Sequence, residues 1–159
     1  MKKNRAFLKW AGGKYPLIDD IKRYLPAGAC LIEPLVGAGS VFLNTEYDAY
    51  ILADINSDLI NLYNIVKTRT EEFVRDARVL FTPEFNESDR FYVLRAEFNA
   101  SSDPYRRSVL FLYLNRHCYN GLCRYNLSGA FNVPFGRYKK PYFPEEELYW
   151  FAEKAKNAV

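Results

Sequence analysis

The sequence predicts an α/β fold in which a parallel sheet is interrupted by a helical insertion that carries a β-hairpin. Three observations predict it. Residues 30–54 read as strand, turn, helix and strand. Hydrophobic spacing switches to a helical period after Ser57. A Ser128-Gly129 turn then separates two short strand-like runs inside a stretch free of Asp and Glu. The expected division is residues 1–56 for the first part of the sheet and 57–144 for the insertion, with its hairpin at about 118–139. Residues 145–159 then begin the return to the sheet.

Each element follows from local chemistry. Cys30-Leu31-Ile32-Glu33 is a short apolar run, Pro34 to Ser40 is a glycine-containing turn, and Val41 to Tyr47 is compatible with a short helix. Tyr50-Ile51-Leu52-Ala53 is a second apolar run ending at Asp54. Two such strands joined by a helical crossover pair in parallel. Leu59, Ile60, Leu62, Tyr63, Ile65 and Val66 recur at helical spacing behind an Asn/Ser/Asp start signal. Thr70-Glu71-Glu72 opens a second helix, Phe91, Leu94, Arg95 and Phe98 mark a third, and Pro104 to Arg116 a fourth. Tyr125-Asn126-Leu127 and Ala130 to Val133 flank the Ser128-Gly129 turn as hairpin arms, and Glu145 to Ala158 is helical again.

Charge is segregated. Between Pro104 and Pro144 there is no Asp or Glu, while Arg106, Arg107, Arg116, Arg124, Arg137, Lys139 and Lys140 supply seven positive charges among ten of the 27 aromatic residues. The remainder holds 15 of the 22 Lys and Arg against all 19 Asp and Glu. A basic, aromatic-rich segment on an acidic body is the footprint of a polyanion binder. The wholly apolar run Val109 to Leu114 is too short to cross a bilayer, and Lys9 and Lys14 break up any signal-peptide core after the basic N-terminus. A cytoplasmic protein without membrane contact is therefore expected, and Cys30, Cys118 and Cys123 form no disulfide framework. His117, Cys118 and Cys123 lack the paired spacing of zinc ligands, so no metal site is expected.

Gly37-Ala38-Gly39-Ser40 follows a strand, and Asp54 ends the next one, 17 residues after Gly37. Such a turn lets a ligand approach the backbone, and an acid at that place accepts hydrogen bonds from ribose hydroxyls. The plain alternative is a tight strand-to-helix turn with Asp54 as a helix-start residue. Phe42 occupies the place of the third glycine of a dinucleotide fingerprint, which disfavours a nicotinamide-dependent oxidoreductase. A P-loop ending at Gly13-Lys14 fails because Leu8 and Tyr15 replace its Gly and Ser/Thr. S-adenosyl-L-methionine has a ribose and no phosphate, which suits the pattern.

Phe7-Leu8-Lys9-Trp10-Ala11-Gly12-Gly13-Lys14 followed by Glu33-Pro34-Leu35-Val36-Gly37-Ala38-Gly39-Ser40 resembles the opening of the Dam-type (α-group) DNA adenine-N6 methyltransferases. The resemblance runs from Lys2 to Ala158, with Leu35 where the family usually has an aromatic residue. It implies part of a Rossmann-like class I methyltransferase sheet with an inserted helical DNA-recognition domain. It also implies S-adenosyl-L-methionine as cofactor, with Trp10, Lys14, Glu33, Gly37, Gly39, Ser40 and Asp54 around it. Trp10 would pack on the ligand, Lys14 would meet its carboxylate end and Asp54 its ribose. Taken alone, Trp10 also reads as an ordinary core aromatic, and Lys14 reads better as a solvated surface lysine.

The resemblance continues through Asn115-Arg116, Tyr119 to Asn126 and Phe131 to Tyr138. It implies double-stranded DNA as partner, GATC as target, and a protein that is monomeric in solution and nucleoid-associated. Arg124 would read a guanine, Leu122 and Pro134 would touch a thymine methyl, and Tyr119 with Asn120 would wedge beside an extruded adenine. Arg137, Tyr138 and Lys139 would grip backbone phosphates, Arg116 would be a further DNA-binding residue, and Lys9 would meet the first guanine. Arg106 and Arg107 read as a helix face, and Phe111 and Tyr113 as core.

The family's catalytic Asp-Pro-Pro-Tyr does not occur in these 159 residues. Asp103-Pro104-Tyr105 lacks the second proline and reads as a helix start, with Asp at the cap and Pro at the first position. The 159 residues alone are expected to be inactive, and a non-catalytic, sequence-specific DNA-binding module is the alternative reading.

Overall fold

A computed structural model describes residues 3–159; Met1 and Lys2, at the head of the basic N-terminus, lie outside the described residues. Strands β1 (Cys30–Glu33) and β2 (Ala49–Leu52) pair in parallel, with Leu31 opposite Tyr50 and Glu33 opposite Leu52. A third segment continues the sheet beyond β2. The Tyr50 amide donates to the Asn157 carbonyl (2.9 Å), and the Val159 amide donates back to Tyr50 (2.9 Å). The final helix consequently ends at Ala155, three residues before the expected Ala158. One face of the sheet is bare: Ile32 and Ile51, opposite each other in register, are 60% and 41% exposed.

The link from the glycine turn to β2 is shorter in helix than the sequence suggests. Phe42–Asn44 makes one 3-10 turn, and Thr45 is already extended. Side chains take the carbonyls that a longer helix would need. The Asn44 amide group donates to Ser40 O (2.9 Å) and the Thr45 hydroxyl to Val41 O (2.9 Å). A helix not anticipated from the sequence, α1 (Ile18–Tyr24), follows the N-terminal segment. Asp19 and Asp20 lie in its first turn and Lys22 and Arg23 in its last, in accord with the helix dipole.

The helical part is α2 (Ser57–Thr68), α3 (Thr70–Arg78), α4 (Ser88–Ala100), α5 (Pro104–His117) and α6 (Glu145–Ala155). Asn56 caps α2 by accepting from the Leu59 amide (3.1 Å), and Asp103 caps α5 through Tyr105 N (3.0 Å) with Pro104 at the first position. Leu59, Leu62, Tyr63 and Val66 form the buried stripe of α2. Helix α5 is buried from Ser108 to His117 and packs against α2, α3 and α4, so it has no polar face over that length. Phe7, Tyr63 and Phe151 meet edge-on and tilted at 4.5–5.8 Å, joining the N-terminal segment, α2 and α6 in a core continuous with that around α5. Among the described residues, no helix is long and apolar enough to cross a membrane.

Residues 118–139 follow a hairpin-like path without regular strands. Antiparallel pairing is confined to isolated bridges, Tyr125 with Phe131 and Cys118 with Phe135. Side chains of α4 take the outward-facing backbone groups of the second arm, while Asn126 N to Ala130 O (2.9 Å) and Asn132 N to Arg124 O (3.1 Å) join the two arms. Asn99 exchanges two hydrogen bonds with Phe131 (2.8 and 3.0 Å), and Arg95 donates to Val133 O (3.0 Å). Pro134 supplies no amide.

Candidate cofactor pocket and nucleic-acid interface

A cleft of about 170 Å³ opens beside the glycine turn, and the sequence explains its shape. Gly37 and Gly39 have φ of +51° and +76°, a region costly for residues with a Cβ. Glycine at 37 also makes room for Trp10, since a Cβ there would lie 3.0 Å from the indole Nε1. Trp10, Lys14, Gly37, Ser40 and Asp54, dispersed over 45 residues of sequence, line one cavity. Glu33 and Gly39 do not line it, but both are buried in the strand end and turn that form its wall.

Two carboxylates here differ in their partners. Asp54 accepts from the Gly37 amide (3.0 Å) and the Asn56 amide (3.0 Å), one bond on each oxygen, which leaves acceptor capacity on both. Glu33 is only 7% exposed, and neither of its oxygens has a hydrogen-bond partner. Burial raises its carboxyl from 4.5 to about 7, against weaker lowering effects of the nearby Phe42 amide, outside hydrogen-bond geometry, and of the Lys14 charge. A buried carboxyl without a partner fits a cationic ligand group. Lys14 donates from Nζ to Leu35 O (2.7 Å), and the Tyr63 hydroxyl donates to Gly37 O, bracing the turn from behind. Tyr63 was not anticipated as part of this site; its place in the helical stripe of α2 signals only burial.

The donor set suits a ligand with vicinal hydroxyls and an apolar face. Asp54 offers acceptors for vicinal hydroxyls and the indole of Trp10 offers an apolar surface, while the Glu33 carboxyl is buried in the wall behind them. Among the described residues, no three His, Cys, Asp or Glu side chains are grouped so as to hold a metal ion.

A second cluster lies where residues 118–139 meet the N-terminal segment. Asn115 binds the backbone of Lys9 in both directions, accepting from its amide (2.9 Å) and donating to its carbonyl (2.7 Å). The Lys9 ammonium lies 3.8 Å from the centre of the Tyr138 ring, and the Tyr138 hydroxyl accepts from the Asn120 amide (2.9 Å). Asn120 and Arg137 hold positive φ (+53° and +54°) without being glycine. Tyr119 is 52% exposed, and Asn120, Arg124, Pro134, Arg137 and Lys139 are also at the surface, with Leu122 and Tyr138 half-buried. Arg124 is aimed by Asn132, donating Nε to its side-chain oxygen (2.7 Å) and Nη2 to its carbonyl (3.2 Å).

Arg116, expected among the DNA contacts, is turned into the fold here. It is 9% exposed, with Nε bonded to Tyr142 O (3.0 Å) and the guanidinium over the Tyr142 ring, so it ties residue 142 to α5. Burial pushes the His117 imidazole down to about 4 and the Cys118 thiol up to about 12. Arg106 pairs with Glu97 on the helix face, but Arg107 turns inward to Asp58, a contact across 49 residues that no local spacing announces.

Sequence comparison gives these two sites a context. Residues 10–159 match the family model of the D12 class N6 adenine-specific DNA methyltransferases. The chain is 84% identical over its whole length to a DNA adenine methylase of Serratia marcescens, of which it covers 59%. It is 76% identical over 158 residues to the DNA adenine methylase of Escherichia coli (strain K12), covering 57% of that protein. To the Vibrio cholerae DNA adenine methylase it is 60% identical, again covering 57%. The chain thus spans somewhat over half the length of these relatives, and it belongs to the D12 class of N6 adenine-specific DNA methyltransferases.

Proposed function

We propose that this chain forms the S-adenosylmethionine-binding wall and the DNA-reading surface of an enzyme that methylates adenine N6 in GATC sites of double-stranded DNA. The observation that carries the reading is the cleft in which Asp54, with acceptor capacity to spare, and Trp10 meet in front of a buried, unpartnered Glu33. Asp54 accepts the ribose hydroxyls, Glu33 accepts the ammonium of the methionine tail, Lys14 faces its carboxylate, and Trp10 covers the ligand. When bound, S-adenosylmethionine supplies an electrophilic methyl group on a sulfonium.

On the DNA side Arg124 pairs with a guanine edge, the commonest specific base contact. Leu122 and Pro134 give apolar contact to a thymine methyl, while Arg137, Tyr138 and Lys139 meet phosphates. Tyr119, exposed beside the Asn120 turn, fills the stack when the adenine is extruded, which N6 chemistry requires. Lys9 leaves the Tyr138 ring to reach the first guanine. In this reading the two strands and residues 157–159 belong to a Rossmann-like class I sheet, residues 57–144 form the recognition domain, and the protein acts as a cytoplasmic, nucleoid-associated monomer.

The amino group of adenine needs acceptors that localise its lone pair, and the family's Asp-Pro-Pro-Tyr is not within these 159 residues. That observation favours a second reading, a DNA-binding module, for the chain acting alone. Both readings are tested by offering a GATC duplex and isotopically labelled S-adenosylmethionine to the 159-residue chain. Sequence-selective binding without methyl transfer is the expected result; turnover refutes the assignment of the chemistry to residues outside this chain.

A further inference from the structure

The arm that carries Arg124 has no strand ladder to aim it. Its flanking residues are instead fastened to one turn of a distant helix. On one side, Asn56 Nδ2, at the cap of α2, donates to Cys123 Sγ (3.2 Å). On the other, the Tyr125 hydroxyl donates to Asp58 Oδ2 (2.8 Å). Asp58 is buried, and its two oxygens also take a bidentate pair from Arg107 (2.8 and 2.9 Å). Arg107 is fully committed: Nη1 donates to Phe98 O (2.7 Å) and Ser101 O (3.0 Å), and the guanidinium rests 4.2 Å from the Phe98 ring centre.

We propose that Asp58 is a positioning residue for base reading: anchored by Arg107, it holds Tyr125 and thereby aims the exposed Arg124. The inference rests on the assignment of Arg124 as the guanine-reading residue. Three features support it. First, a regular hairpin sets side-chain direction by register, and here the backbone pairing beside Arg124 is one bridge, Asn132 N to Arg124 O (3.1 Å) and Asn126 N to Ala130 O (2.9 Å), so Asn132 can orient the guanidinium only on an arm whose own place is fixed by side-chain anchors. Second, the bound arm borders an open cleft of about 670 Å³ lined by Asn56, Asp58, Arg107, Tyr125 and Gly129, so an unfastened arm has room to swing. Third, residues 104–144 contain no acid, and the one carboxylate brought against Tyr125 is neutralised by a bidentate arginine. The anchor therefore adds little repulsion towards phosphate. Bidentate recognition tolerates little misplacement, so loss of the anchor lowers discrimination before it lowers general affinity.

The test compares binding of the chain to a GATC duplex and to the same duplex with that guanine pair replaced, for wild type, Tyr125→Phe, Asp58→Asn and Arg124→Ala. Tyr125→Phe removes one hydroxyl and leaves the Asp58–Arg107 pair intact, so it reports even if Asp58→Asn fails to fold. The expected result is a loss of about 5- to 10-fold in the affinity ratio at that position, the scale of one ordinary hydrogen bond, with affinity for the replaced duplex unchanged within about 2-fold. A purely structural network would lower the melting temperature and weaken both duplexes in parallel, leaving the ratio intact, and that outcome overturns the proposal. If Arg124→Ala itself leaves the ratio unchanged, the base-reading assignment fails first and the positioning role falls with it. If Arg124→Ala removes discrimination and Tyr125→Phe does not, only the positioning role fails.

Discussion

Replacing Glu33 by Gln should stabilise the ligand-free chain at neutral pH while weakening its hold on the cofactor. Burial without a partner raises the Glu33 carboxyl from 4.5 to about 7. Between those values the folded chain keeps a proton that the unfolded chain releases, so this residue's contribution to stability falls as pH rises through the window. The full cost is reached above about pH 7 and amounts to about 3 kcal/mol, from 1.36 kcal/mol for each tenfold change in proton affinity. Gln is a neutral near-isostere and carries no such titration. Urea unfolding of wild type and Glu33→Gln at pH 5 and pH 8 isolates the effect, because all other groups cancel in the difference. The variant should gain about 2–3 kcal/mol over wild type at pH 8 and have little advantage at pH 5. The same substitution removes the anion that awaits an ammonium, so S-adenosylmethionine affinity should fall by at least about 10-fold at pH 8. A stability difference that is the same at both pH values would refute the reasoning, as would a variant less stable than wild type at pH 8.

Other residues give independent tests. His117 is held neutral with its imidazole at about 4 against 6.5 when free, so the stability it supports is present above about pH 6.5 and lost as pH falls towards 4. His117→Phe should remove about 3 kcal/mol of acid sensitivity over that range in thermal or urea melts, and an unchanged acid sensitivity would refute this. Gly37→Ala forces a Cβ at φ +51° and 3.0 Å from Trp10 Nε1. It should cost about 1–3 kcal/mol in stability and weaken cofactor binding, both measurable by melting with and without ligand. Arg116→Ala should lower stability by about 1–3 kcal/mol through the stranded Tyr142 carbonyl and leave the salt dependence of DNA binding unchanged. A slope reduced by about one would mean that Arg116 reaches a phosphate after all.

What could be read from the sequence followed from how local each feature is. Helices α2 to α5 announce themselves by hydrophobic period, and their caps Asn56 and Asp103 by residue type, because both signals operate within one or two turns. The glycine turn is legible for the same reason, since left-handed backbone needs glycine at 37 and 39. Helix α1 escaped because seven residues hold too little of an apolar stripe, and the crossover helix shortened because Asn44 and Thr45 take its carbonyls. The inward turn of Arg107, the burial of Arg116 and the orphaned oxygens of Glu33 depend on packing between segments far apart in the chain. Arg107 and Asp58 are 49 residues apart, and nothing in the spacing of either distinguishes it from a surface charge. The seven positive charges of residues 104–144 therefore divide by environment: Arg107 and Arg116 serve the fold, Arg106 pairs on a helix face, and Arg124, Arg137, Lys139 and Lys140 remain at the surface.

The bare sheet face at Ile32 and Ile51 and the pairing of residues 157–159 beside β2 bear on the design of experiments with this chain, which spans 59% of its Serratia relative. Apolar surface of this kind favours self-association, so binding should be measured at low protein concentration. The most direct test of the central claim is calorimetric titration of the chain with S-adenosylmethionine beside Asp54→Ala. The account predicts one-to-one binding by the wild type, reduced at least about 10-fold in the variant, which removes the acceptors for the ribose hydroxyls. Absence of binding by the wild-type chain, or equal affinity in the variant, would contradict it.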